Sequence, residues 1–198
     1  VHYQQLEKYV PKDALPLIET WFSPFKIQLR ITPDRKTKLG DYRKDGALHS
    51  ISVNGNLSAE AFFFVLTHEF AHLKAYHDFR GKMILVHGKE WKHTFSELLL
   101  DSVHLYPTEI QPYILQHARK PKASVTADPG IAKNLLRNEN DLPYLEDLPE
   151  GSLFYIGNKL LQKGKKRKIR YLCQEKNTGK KYLVNGLAQV NRVKNETK

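Results

Sequence analysis

The stretch Ala59–Tyr76 constrains this chain more than any other. It holds no glycine or proline, and Phe62, Phe63, Phe64, Val65, Leu66, Phe70, Ala71 and Leu73 put apolar groups on almost every face of a helix. A helix that is apolar all round is a buried one. Ser58 is placed to cap its start, and Glu60 falls in the first turn, where the macrodipole favours an acid. Inside this segment lies His68-Glu69-Phe70-Ala71-His72, an H-E-x-x-H pattern. Two histidines and a carboxylate in apolar surroundings need partners, because unpaired buried charge is costly. Side chains at i and i+4 leave the same face of a helix, so His68 and His72 can offer ring nitrogens to one metal ion. Glu69 then stands beside the open side of that ion. Three protein ligands and one water make a catalytic zinc site, whereas four protein ligands close it. Zinc lowers the pKa of such a water to about 7 and polarises a carbonyl, and a carboxylate beside it can pass the water's proton to a leaving amine. The bland alternative is two helical histidines and a chance glutamate, with no metal.

A third ligand has to come from further along. His77, Asp78, His87, Glu90, His93, Glu97 and Asp101 all follow His72. His77 and His93 are expected at the surface or behind the ligands. His87 opens His87-Gly88-Lys89-Glu90-Trp91, just before a second helical pattern of Trp91, Phe95, Leu98 and Leu99. H-E-x-x-H followed, after fourteen intervening residues, by H-G-x-E-[FW] resembles the SprT-like metallopeptidases, the Spartan-related family. Leu39-Gly40-Asp41-Tyr42-Arg43 and His49-Ser50-Ile51-Ser52-Val53-Asn54 are similar to the strand region that leads into that family's catalytic helix. The resemblance covers roughly Leu17–Leu100, and the C-terminal end more loosely. It implies a zinc metalloendopeptidase with one Zn2+ per chain, held by His68, His72 and His87, with Glu69 as general base. It also implies a DNA-linked role in repair, the cleavage of proteins bound or crosslinked to DNA.

The remaining pattern predicts an α+β fold, a zincin-like helix on a small sheet, followed by a small antiparallel β module. Tyr3–Val10 and Leu15–Phe22 read as short helices, and Phe25–Ile31 alternates as a half-buried strand does. Lys38–Arg43 and Leu48–Val53 are two further strands, joined by a hairpin turn at Asp45-Gly46. Leu48–Val53 is the candidate edge strand beside the cleft, to which an extended substrate would add by backbone hydrogen bonds, with an internal strand of no substrate role as the alternative. His49 and His104 are candidates to face the cleft and hold an oxyanion. Thr108–Ala118 and Pro129–Arg137 read as helices, the second capped by Asp128 with proline at its first position. The expected boundaries are a peptidase domain over 1–137, a proline-marked linker over 138–150, and the β module over 151–198.

Charge separates the last of these from the rest. Residues 1–150 balance at 19 Lys/Arg and 19 Asp/Glu, while residues 151–198 carry 13 Lys/Arg against 2 Asp/Glu, the whole of the +11 excess. That asymmetry is expected of a module facing a polyanion, although a basic solubilising surface would look the same. Lys165, Lys166, Arg167, Lys168 and Arg170, near Tyr155, Tyr171 and Tyr182, suit phosphate contact and base stacking, with DNA as the expected partner. Turns are expected at Gly157-Asn158, Lys163-Gly164, Asn177-Thr178-Gly179 and Asn185-Gly186. SprT-like proteins often carry a paired-cysteine zinc ribbon here, and the single Cys173 departs from that pattern. The lone cysteine, the absence of a signal-like opening and the lack of any apolar run near 20 residues give a cytoplasmic expectation with no membrane partner. A rival reading from another class is a non-catalytic DNA-binding or adaptor protein whose metal only braces the fold. A hydrolase for substrates other than peptides also fits the residues.

Overall fold

The structure is a computed structural model and describes residues 3–35, 37–81, 83–124, 127–136 and 142–193. The chain is α+β and divides into two compact units, Val1–Leu136 and Arg137–Lys198. Among the described residues no helix is long and apolar enough to cross a membrane.

The first unit runs α1 (Leu15–Phe22), β1 (Ile27–Thr32), β2 (Gly40–Asp45), β3 (Leu48–Asn54), α2 (Ala59–Asp78), α3 (Lys89–Ser102), α4 (Gln111–Arg119) and α5 (Pro129–Asn134). Of the opening Tyr3–Val10 segment, expected as a helix, only Tyr3–Leu6 turns, as one 3-10 turn. The short stretch before Pro11 is far below the length at which a helix sustains itself. The helix α2 starts where its cap predicts: Ser58 is extended, and its Oγ accepts from the Ala61 N–H. It is buried along most of its length and packs on β2 and β3 on one side and α3 on the other. Phe70, just past its middle, fixes it to the chain before the sheet, touching the rings of Trp21, Phe22 and Phe25.

The three-stranded sheet is mixed, in the order β1-β3-β2. β3 pairs in parallel with β1, Ile27 opposite His49, and antiparallel with β2, Tyr42 opposite Ile51. Of the two readings of Leu48–Val53, the edge strand and the internal one, the second holds: it is the central strand. Its alternating Ile51 and Val53 are fully buried against α2, and both of its backbone edges are paired. The strand at the edge beside α2 is β2.

The second unit is a five-stranded antiparallel sheet of β4 (Leu153–Ile156), β5 (Lys159–Arg167), β6 (Arg170–Glu175), β7 (Lys181–Asn185) and β8 (Asn191–Arg192), in the order β7-β6-β5-β4-β8. Its core is Leu145, Leu148, Phe154, Leu161, Tyr171, Cys173 and Val190. Tyr144–Leu148, read from the sequence as linker, folds onto this sheet: Tyr144 bridges Gln189, and Lys163 Nζ donates to the carbonyls of Glu146 and Leu148 while standing 4.1 Å from the Tyr171 ring. Residues 137–141, which include the start of the expected linker, lie outside the described residues. No turn forms at Lys163-Gly164. Gly164 lies within β5 at a bulge, where a Cβ would run into the Leu172 carbonyl, so its glycine serves close approach instead of reversal. The chain reverses between Arg167 and Arg170, with Lys168 in the left-handed region at φ 55°.

Candidate metal centre

The structure brings His68, His72 and His87 together: each offers a ring nitrogen, all within 4.8 Å of one another. His68 and His72 come one turn apart from α2. His87 comes from the turn before α3, in the left-handed region at φ 58°. Its Nε2 lies 3.2 Å from the Nε2 of His68. Tetrahedral geometry with Zn–N bonds of about 2.0–2.1 Å sets two ligand nitrogens ~3.3 Å apart. That pair sits at ligand spacing, and the three-histidine group could hold a metal ion.

Electrostatics keep these nitrogens ready. Burial, then the charges of His72 and His87, depress His68 to about 2. Burial and His87 lower His72 to about 4, and burial and Lys92 lower His87. All three are neutral at pH 7, as metal ligands must be. The cause of the burial is aromatic. Trp91, itself fully buried, sets its ring 4.7 Å from His68, 5.3 Å from His72 and 4.6 Å from His87. Tyr42 on β2 stacks on His72 at 6.1 Å.

Glu69 lies in the same cleft, a hollow of ≈ 840 Å³ walled by Gly40, Tyr42, Val65, Tyr76, Leu85 and Trp91 among others. Burial, with Asp41 nearby, raises its carboxyl to about 8, although Arg35, Lys38 and a hydrogen bond from the Tyr42 N–H pull the other way. A carboxyl held near neutrality can both take and give a proton.

The other acids and histidines downstream of His72 are engaged elsewhere. Asp78 pairs with Lys74 and His77, His93 with Glu97, Glu90 with Lys89, and Asp101 accepts from Trp21 Nε1 at 3.1 Å. His49 does not line the cleft. Its Nδ1 lies 2.9 Å from Tyr42 Oη, so it backs the tyrosine. His104 is exposed and does not line the cleft either. Two contributors were not assigned from sequence. Tyr42 carries its signal in the strand motif around Gly40. His117, which packs on Phe64 and Phe95 behind the site, carries none.

In the second unit Lys165, Lys166, Arg167, Lys168 and Arg170 are all exposed on the β5–β6 hairpin, and Arg167 stands directly opposite Arg170. Ile169 at the tip is 71% exposed. Of the three tyrosines expected beside them, two are placed otherwise. Tyr171 is buried in the core, Tyr182 bonds to Glu175 and Lys159, and Tyr155 pairs with Leu160 at the other end of β5. Tyr171 nevertheless keeps Lys166 beside it, with Nζ 5.8 Å from the ring, whereas Tyr155 and Tyr182 lie away from the basic run.

No family model, curated protein or solved structure matches this chain.

Proposed function

We propose that this chain is a zinc-dependent endopeptidase of the SprT-like kind, acting on proteins held on DNA. The observation that carries the reading is a buried carboxyl, Glu69, in one cleft with three neutral histidines whose ring nitrogens lie within 4.8 Å of one another. A metal that only braced the fold would leave Glu69 without a task.

His68, His72 and His87 would hold the ion, and zinc there supplies Lewis acidity and an acidified water. Glu69 accepts a proton on its carboxylate and returns it to the departing amine nitrogen. The Tyr42 N–H orients that carboxylate, and Gly40 leaves room for it. Trp91 packs against all three histidines and shields them from bulk solvent. An extended polypeptide adds to β2, whose outer edge is the one beside the cleft, through main-chain hydrogen bonds. The zincin-like description of the first unit rests on this same arrangement of helix, edge strand and histidines. The basic hairpin gives the second unit its proposed role, contact with DNA phosphates.

The test is digestion of a DNA-binding protein by the zinc-loaded chain, with and without DNA, beside a Glu69→Gln control. New fragments that vanish in the control are expected. Zinc-loaded protein that leaves every substrate intact, free or DNA-bound, overturns the reading.

A further inference from the structure

Behind the metal centre three buried polar atoms have no hydrogen-bond partner: His68 Nδ1, Trp91 Nε1 and His117 Nε2. Their rings surround Phe95, with centroids at 5.3, 5.0 and 5.7 Å from it. His117 is close enough for its charge to act on His68. The side chain of His117 is wholly buried, and its Nδ1 lies 2.9 Å from Asp128 Oδ2. The Nδ1–H donates to that carboxylate, which fixes the tautomer and leaves Nε2 as an acceptor. A His68 that ligates through Nε2 carries its proton on Nδ1, and Trp91 Nε1–H only donates. Two donors and one acceptor thus remain around one aromatic ring. A single water placed among them would satisfy all three, because it accepts two hydrogen bonds and donates to the third atom, and buried waters typically hold about three such bonds.

Resting on the zinc reading above, we propose that His117, anchored by Asp128, is a positioning residue for His68, acting through a buried water shared with Trp91. The arrangement fixes the His68 ring and its tautomer so that Nε2 is aimed at the metal. It links α2 to α4 and to the start of α5, since Asp128 also caps α5 through Oδ1. A metal-ligating histidine generally donates its second N–H to such a partner, and loss of the partner costs about 10–100-fold in metal affinity.

The experiment is zinc affinity of the full chain by chelator competition, for wild type, His117→Phe and Asp128→Asn. His117→Phe keeps a ring in the core and removes both nitrogens. Asp128→Asn keeps an oxygen for the α5 cap but presents N–H to His117 Nδ1, which drives the proton to Nε2 and sets three donors against one water. Both variants are expected to bind zinc about 10–100-fold more weakly. Nitrogen NMR of the zinc-loaded wild type is expected to show an exchange-protected His68 Nδ1–H, which both variants lose, and a His117 tautomer that Asp128→Asn inverts. Should His117→Phe fail to fold, Asp128→Asn still decides. Wild-type affinity and an unchanged His68 signal in Asp128→Asn overturn the inference and leave the pair as a brace for α5, with the zinc reading intact. A wild type without zinc affinity overturns both.

Discussion

A Cβ on Gly40 would stand 2.5 Å from Oε1 of Glu69 and 2.7 Å from Cγ1 of Val65. The edge strand and the carboxyl on the helix that carries His68 and His72 are therefore in contact at a place where only glycine fits. Gly40→Ala must displace either β2 or Glu69. Misplacing a reacting group by 1 Å can cost about 10²-fold in rate. Proteolysis by Gly40→Ala is expected to fall by about that factor, with zinc occupancy unchanged, because no ligand touches Gly40. Paired turnover and metal-content measurements check this, and normal turnover would mean that the strand yields without moving Glu69.

Glu69→Gln nearly conserves size and removes the proton acceptor. General acid–base catalysis contributes about 10²–10⁴-fold, so the rate should fall at least that far while zinc stays bound. A variant with near-normal turnover would remove Glu69 from the chemistry.

His87 contributes its ring from a left-handed backbone, so two effects must be separated. His87→Ala removes the ligand and keeps the φ burden. His87→Gly removes both. Both are expected to lose zinc alike, as read by elemental analysis, whereas Glu90→Ala retains it. Zinc retained in His87→Ala and lost in Glu90→Ala would make this a glutamate-type site.

The helix and its histidines were legible because everything needed was local: a cap, an uninterrupted apolar run and an i, i+4 pair. The edge strand was not. The β2–β3 hairpin is a local pairing, but the parallel β1–β3 pairing joins residues 22 apart in sequence, Ile27 with His49, and it alone decides that β3 is central. Gly164 misled for a related reason, since a glycine that admits a neighbouring carbonyl looks the same in sequence as one that turns the chain. The placement of His117 behind His68 is purely tertiary and left no trace in the pattern. The H-G-x-E-W segment was read through a resemblance, and its histidine proved to share a site with α2.

In the metal-free chain the buried groups set opposing pH limbs. The folded pKa of Glu69 is raised from 4.5 to about 8, so folding binds its proton, and that stabilisation is lost as pH rises through 8. The folded values of His68 and His72 are depressed from 6.5 to about 2 and about 4, so their contribution is present above 6.5 and is lost as pH falls toward those values. Above pH 6.5 the carboxyl acts alone. Below it the two histidines outweigh the one carboxyl. The thermal midpoint of the metal-free chain should peak near neutrality. Glu69→Gln should flatten the limb from 6.5 to 8, and His68→Gln should flatten the acid limb. Midpoints of the variants that parallel wild type across both limbs would place the linkage elsewhere.

The β5–β6 hairpin carries the last prediction. Arg167 and Arg170 face each other across the strands, and like charges directly opposite destabilise a sheet. None of Lys165, Lys166, Arg167, Lys168 and Arg170 takes part in an ion pair among the described residues. A polyanion relieves that repulsion, and each contacted phosphate adds about −0.9 to the log–log salt slope on duplex DNA and about −0.7 on a single strand. Replacing all five residues with glutamine in the full chain should flatten the slope by roughly three to five units and leave the zinc site unchanged. Tyr171 is buried in the module's core, so Tyr171→Leu should not reduce affinity through lost base stacking; its effect should appear in stability. Salt titrations of DNA binding for the three proteins decide between the outcomes. Equal slopes for the wild type and the five-site variant would make the hairpin a solubilising surface. A selective loss of single-strand affinity in folded Tyr171→Leu would mean that the ring leaves the core to meet a base.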